Sequence, residues 1–90
     1  MTAPLLTFSL LNAGMLLRDM GRSQEALPLL TTASRLAESP AERERSLYEL
    51  GRCQEELELP GPAAESYREL LALPPVGNWD AQERLSQLGG

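Results

Sequence analysis

Residues 10–17, LLNAGMLL, and residues 47–54, LYELGRCQ, carry one pattern twice: Leu10 and Leu47 lead, and Gly14 and Gly51 follow four residues later. Just before each glycine stands an apolar residue, Ala13 or Leu50. The match continues outward. Twelve residues past each glycine comes an alanine, Ala26 or Ala63, then a large side chain, Leu30 or Tyr67, then Ala33 or Leu70, always at an offset of 37 residues. Self-similarity at a fixed period of this size marks a stack of supersecondary units. Each copy reads as two helices joined by a turn. Glycine on the first helix and alanine on the second allow close approach, and the larger residues fill the space around them.

The punctuation between the patterned stretches agrees. Prolines and glycines divide the chain into five blocks, each compatible with a helix. The first runs from about Pro4 to Met20 and stops at Gly21, a residue that tolerates left-handed backbone angles. The second follows Ser23 as N-cap and reaches about Ala37, with Pro28 inside it. The third opens on Ser39-Pro40-Ala41-Glu42, where serine caps, proline takes the first helical position and glutamate closes a capping box. It ends before Leu59-Pro60-Gly61. The fourth starts at Pro62 and is closed by Pro74-Pro75; the fifth begins at Asn78 or Asp80 and ends at Gly89-Gly90. With one valine and no isoleucine, no stretch has the β-branched alternation of a strand. The expected fold class is all-α: antiparallel helical hairpins stacked in one domain over 1–90, with repeat one at 5–37, repeat two at 40–75 and a cap helix at 78–88.

The repeated residues resemble the tetratricopeptide family, whose pattern is W-x2-L-G-x2-Y, then A-x3-F, then P, over about 34 residues. The first unit supplies Leu10, Ala13, Gly14, Leu17, Ala26 and Leu30, with Pro40 two residues late. The second supplies Leu47, Leu50, Gly51, Ala63, Tyr67 and Pro75. Leucine replaces the tryptophan in both copies, Gln54 stands where a large apolar residue belongs, and the period is longer than the family's. The resemblance covers about residues 7–75 and implies a short superhelix whose concave surface receives a protein partner.

Composition narrows the chemistry. The net charge is −5, from 13 acidic and 8 basic residues, which argues against nucleic acid or an anionic membrane as partner. Every basic residue is arginine, and histidine is absent, so no Schiff-base lysine, P-loop lysine or imidazole base exists. The single cysteine, Cys53, suits a reducing compartment and is placed in the core rather than in a nucleophilic site. Glu55, Glu56 and Glu58 form a charge run without metal-ligand spacing. The expectation is a non-enzyme with no cofactor and no metal. The apolar N-terminal run lacks a basic n-region and is broken by Ser9, Asn12 and Gly14, which favours a cytoplasmic protein over a signal or anchor.

Candidate binding residues follow from helical geometry. At about 100° per residue, Leu10, Ala13, Gly14 and Leu17 share the face sent inward. Phe8, Leu11 and Met15 form a second apolar stripe more than 90° away. The family resemblance assigns these positions, and their equivalents Arg45, Tyr48 and Arg52, to the concave partner-binding face. Two guanidinium groups beside a tyrosine can grip an acidic group; Glu42, Glu49, Glu55 and Glu56, three or four residues away, can equally hold them as a solvated face. The carboxylate clamp of some family members, built on lysine and asparagine, is not reproduced. About three repeats are usually needed for stability, and this chain has two. Trp79, Leu85 and Leu88 are expected to cap one end. The stripe on the first helix is covered by a partner peptide or helix, by a homodimer that consumes the groove, or by the chain itself.

Overall fold

In the computed structural model, which describes residues 3–73 and 80–89, the chain forms α1 (Ala3–Asp19), α2 (Ser23–Leu36), α3 (Pro40–Glu56), α4 (Pro60–Leu71) and α5 (Ala81–Gln87). No strand occurs among the described residues. The all-α expectation holds, as do the helical hairpins. α1 packs along α2, α3 along α4, α2 against α3 and α4 against α5, whereas α1 touches α3 only lightly. Trp79 and Pro75 lie outside the described residues.

Local signals explain most boundaries. Ser39 Oγ accepts from the Glu42 amide at 3.1 Å and the Glu42 carboxylate accepts from the Ser39 amide at 3.3 Å, so the capping box is complete with Pro40 at the first helical position. Gly21 ends α1 with φ of 78°; its amide reaches the Arg18 carbonyl while the Arg22 amide reaches Leu17, the paired closure of a Schellman turn. The end of α3 repeats that geometry 37 residues later, where Glu58 takes φ of 58° and the Leu59 amide bonds the Gln54 carbonyl. Two expected starts are displaced. Arg22, not Ser23, is the N-cap of α2, because the Ser23 hydroxyl donates instead to Glu56 at 2.8 Å. α4 begins at Pro60 rather than Pro62, since proline loses nothing in a first helical turn whose amides are unbonded anyway.

The glycine-to-large-residue pairing of the repeat is the centre of each hairpin. A Cβ on Gly14 would lie 2.6 Å from Leu30 Cδ2, and one on Gly51 would lie 2.5 Å from Tyr67 Cε1. Only hydrogen fits there. Leu30 and Tyr67 are both fully buried. Around them sit two apolar clusters. One gathers Leu11, Ala26, Leu30, Ala33, Leu50 and Cys53. The other joins Leu47, Ala63, Ala64, Tyr67 and Leu70 to Ala81 and Leu85 of α5. The cap helix therefore covers α4, with Leu88 packed beside it.

The inward face of α1 is rotated from its expected position. Thr7, Leu11 and Gly14 are buried, Leu10 and Leu17 are half-buried, and Ala13 is exposed. Its counterpart Leu50 is buried. The two units differ here because α2 covers that side of α3, while Ala13 on the matching side of α1 is exposed and no helix among the described residues covers it.

Candidate functional site

The directions around α1 locate its shoulders. Gly14 faces Leu30 of α2, and Arg18 reaches Glu49 and Glu56 of α3 at 2.9 and 3.2 Å. Met15 and Phe8 follow Leu11 around the helix on the α3 side of that line. Leu11 itself is only 7% exposed and belongs to the core cluster, so it supports the surface from beneath. Met15 packs partly on the same cluster, and Phe8 stands out at 61% exposure. The expected apolar stripe is thus graded, from a buried end at Leu11 to a solvent-facing ring at Phe8.

Across the gap, α3 presents Arg45, Tyr48 and Arg52. The Arg45 guanidinium lies 3.8 Å from the Glu49 carboxylate, which also holds Arg18. Glu49 is 5% exposed, so a buried carboxylate is shared between a cation of α1 and a cation of its own helix. Ser23 Oγ and Arg18 both meet Glu56. This ionic seam ties the first hairpin to the second along the edge where apolar contact is light.

Tyr48 and Arg52 turn toward the cap. The Tyr48 hydroxyl donates to Asp80 Oδ1 at 2.7 Å, Arg52 Nη1 donates to the same hydroxyl at 3.3 Å, and the Arg52 guanidinium lies 6.0 Å from the Tyr48 ring centre. Hydrogen bonding from Tyr48, with the Arg84 and Arg52 charges nearby, holds the Asp80 carboxyl below the usual range. Arg84 bridges Asp80 and Glu55 at 3.1 Å each, and the Tyr67 hydroxyl donates to Glu55. Burial, then that hydrogen bond, raises the Tyr67 phenol. The three α3 residues therefore divide. Tyr48 and Arg52 join α3 to α5, and Arg45 faces the α1 side.

Cys53 is buried in the core and donates to the Ser23 carbonyl at 3.2 Å. Burial pushes its thiol up to about 11, the opposite of an activated nucleophile. Gln54, the departure from the repeat pattern, accepts from the Ser66 hydroxyl of α4 at 2.7 Å; the apolar contact of one unit is replaced by a polar one in the other. Beside it, a cleft of about 520 Å³ runs between α2, α3 and α4, lined by Arg35, Arg43, Gln54, Glu65 and Glu69 among others. Its mixed charges offer no single ligand chemistry. Among the described residues there is no cluster of histidine, cysteine and acidic groups able to hold a metal ion, and no helix is long and apolar enough to cross a membrane.

The repeat pattern does not mark Leu6, Leu16 and Met20, yet these are 43%, 61% and 56% exposed. Their spacing places them with Ala13 on the side of α1 opposite its buried face. The signal in the sequence for Leu16 and Met20 is their correspondence, 37 residues on, to Cys53 and Leu57, which pack in the core; Leu6 corresponds to Arg43 and carries no such signal. No protein-family model matches the chain, and neither a curated protein sequence nor a solved structure is similar to it.

Proposed function

We propose that the chain is a tetratricopeptide-like protein–protein interaction module that binds a partner peptide or helix on the face shared by α1 and α3. The observation that carries this reading is Phe8, an aromatic side chain 61% exposed, on the side of α1 that also carries half-buried Met15 and turns toward α3. Aromatic and arginine side chains together are the residue types that dominate binding energy at protein interfaces. The buried Leu11 gives the surface a firm apolar floor. Arg45 supplies the polar rim on the α1 side, while Tyr48 and Arg52, further along α3, are engaged with Asp80 of the cap through the Tyr48 hydroxyl. The matching ligand is a helix or extended peptide with one apolar anchor for Phe8 and Met15 and an acidic group for Arg45. A lone buried cysteine fits action in the reducing cytoplasm. No catalytic step and no cofactor is needed for such a role.

Panning a random peptide library displayed on phage against the immobilised protein tests this. Enriched peptides are expected to combine an aliphatic or aromatic residue with Asp or Glu. Their synthetic versions should bind at least about tenfold more weakly to Phe8→Ala and to Arg45→Glu, a loss of about 1.4 kcal/mol each. The far-UV circular dichroism of both variants should match the parent. Failure to enrich any peptide, or enrichment of peptides indifferent to both substitutions, would overturn the proposal.

A further inference from the structure

The repeat itself shows what the outer face of α1 is built to do. Ala13, Leu16 and Met20 correspond, at the offset of 37, to Leu50, Cys53 and Leu57. In the second unit those positions are covered. Leu50 and Cys53 are buried and Leu57 is partly buried, in the cluster that holds Ala26, Leu30 and Ala33 of α2. The same helix positions on α1 face solvent, with Leu16 61% and Met20 56% exposed and Leu6 extending the stripe at 43%. A helix face of this composition is normally buried against another helix.

We propose that this face is the contact between two copies of the chain, α1 packing antiparallel on α1 of the second copy about a two-fold axis at Ala13. Two observations fix the form of a contact between copies. The other end of the stack is closed, because α5 sets Ala81, Leu85 and Leu88 against Ala63, Ala64, Tyr67 and Leu70 of α4. A second copy therefore cannot dock its α1 on α4, and head-to-tail growth is blocked. Self-association through the outer face of α1 is then an isologous contact of α1 with itself, which closes at two.

The stripe is also self-complementary. Leu6 and Met20 stand seven residues either side of Ala13, so a two-fold axis there places Leu6 of one copy against Met20 of the other. Ser9 and Leu16 then fall nearly opposite one another. Crossed helices approach most closely where their axes meet and diverge beyond that point. The small Ala13 suits the crossing, and the long Leu6 and Met20 suit the diverging ends. This surface lies on the side of α1 away from Leu11, so it is separate from the peptide face and does not depend on it.

Sedimentation velocity from about 1 to about 300 µM is the first measurement, spanning the micromolar affinities of a contact limited to one helix pair. A monomer–dimer equilibrium is expected. Leu16→Glu and, separately, Ala13→Arg should weaken it at least about tenfold. Phe8→Glu should leave it unchanged. Both positions changed are solvent-facing in the single chain, so the melting temperature of the dilute variants should stay near that of the parent; if one fails to fold, the other carries the test. The register is read by oxidative cross-linking, with buried Cys53 left in place. Ala13→Cys should form a disulfide dimer, because only residues on the axis bring their own Cα atoms within about 7 Å, while Phe8→Cys should not. A strict monomer at 300 µM overturns the proposal, leaving the face to a helix of another protein. A dimer that survives Leu16→Glu and Ala13→Arg, or that is lost in Phe8→Glu, puts the interface elsewhere and equally overturns it. A dimer sensitive to those substitutions but without the Ala13→Cys cross-link overturns the two-fold at Ala13.

Discussion

Replacing Gly51 with alanine should destabilise the protein, although alanine is the better helix former. A Cβ at this position would lie 2.5 Å from Tyr67 Cε1 and 2.7 Å from Cζ, against about 3.5–4.0 Å for carbons in contact. An overlap of about 1 Å must be relieved. Tyr67 is poorly able to yield: its ring is fully buried, its hydroxyl is tied to Glu55, and its centre lies 6.3 Å from that of Tyr48. The strain therefore passes to the spacing of α3 and α4. Overpacking of this kind costs about 1–3 kcal/mol, while the intrinsic preference for alanine in a helix returns about 0.5–1 kcal/mol. Packing wins by about 1–2 kcal/mol. In a domain of this size that lowers the melting temperature by roughly 4–15 °C, measurable by thermal circular dichroism. In a Tyr67→Ala background, which removes the ring that the added Cβ would meet, the cost of Gly51→Ala should shrink by about 1 kcal/mol, a coupling that a double-mutant cycle reads directly. A Gly51→Ala variant that melts at or above the parent temperature would refute the packing argument.

Three further outcomes can be checked by the same melts or by thiol reactivity. Glu58→Gly should stabilise by about 0.5–1 kcal/mol, because Glu58 holds φ of 58° at the position where the first unit uses Gly21; an unchanged or lower melting temperature would count against strain there. Arg18→Met leaves Glu49, 6% exposed in its side chain, with only Arg45 at 3.8 Å, and breaking a buried pair in this way should cost about 3 kcal/mol. Disrupting the exposed pair Arg22–Glu25 should have no measurable effect, and equal responses at the two sites would contradict the burial argument. The Cys53 thiol ionises near 8.5 when unfolded but only near 11 when folded. Its share of stability is therefore constant below pH 8 and falls as pH rises from about 8.5 to 11. Cys53→Ala should flatten that alkaline decline, and the native thiol should react with a disulfide reagent at pH 8 only through unfolding.

The helices were legible where a local cause decides them. Ser39-Pro40-Ala41-Glu42 is a complete instruction for a helix start, and Gly21 for a helix end, and both act as read. The glycine–large-residue pairs were legible because the repeat shows them twice. Ser23 misleads as a cap because its hydroxyl finds Glu56, a residue 33 positions away, and no local pattern carries that. The roles of Ala13 and Leu11 were not legible for a related reason. Periodicity marks α1 as apolar on several sides, but which side turns inward depends on where α2 and α3 lie. Of the six expected partner-binding residues, spacing placed Phe8 and Arg45 on the outside as read. It did not reveal that Leu11 would sink into the core or that Asp80, from the cap, would take the Tyr48 hydroxyl.

The difference between the two ends of the stack follows from the same reasoning. Each hairpin leaves one apolar side on its first helix and one on its second, because a helix pair can bury only the sides that face each other. Within the chain, α2 and α3 satisfy one such pair of sides, and α4 and α5 satisfy another. The cap succeeds in only seven helical residues, since Ala81 and Leu85 sit on the fully buried Tyr67 region and Arg84 anchors the helix to Glu55 and Asp80. No comparable short helix covers Leu6, Ala13, Leu16 and Met20 among the described residues. Mutation of this face should therefore leave the single chain's stability intact while changing its association, whereas mutation of the matching positions Leu50 and Cys53 should do the reverse. That opposition, at positions related by the repeat, separates a surface made for a partner from a core position that happens to share its sequence pattern.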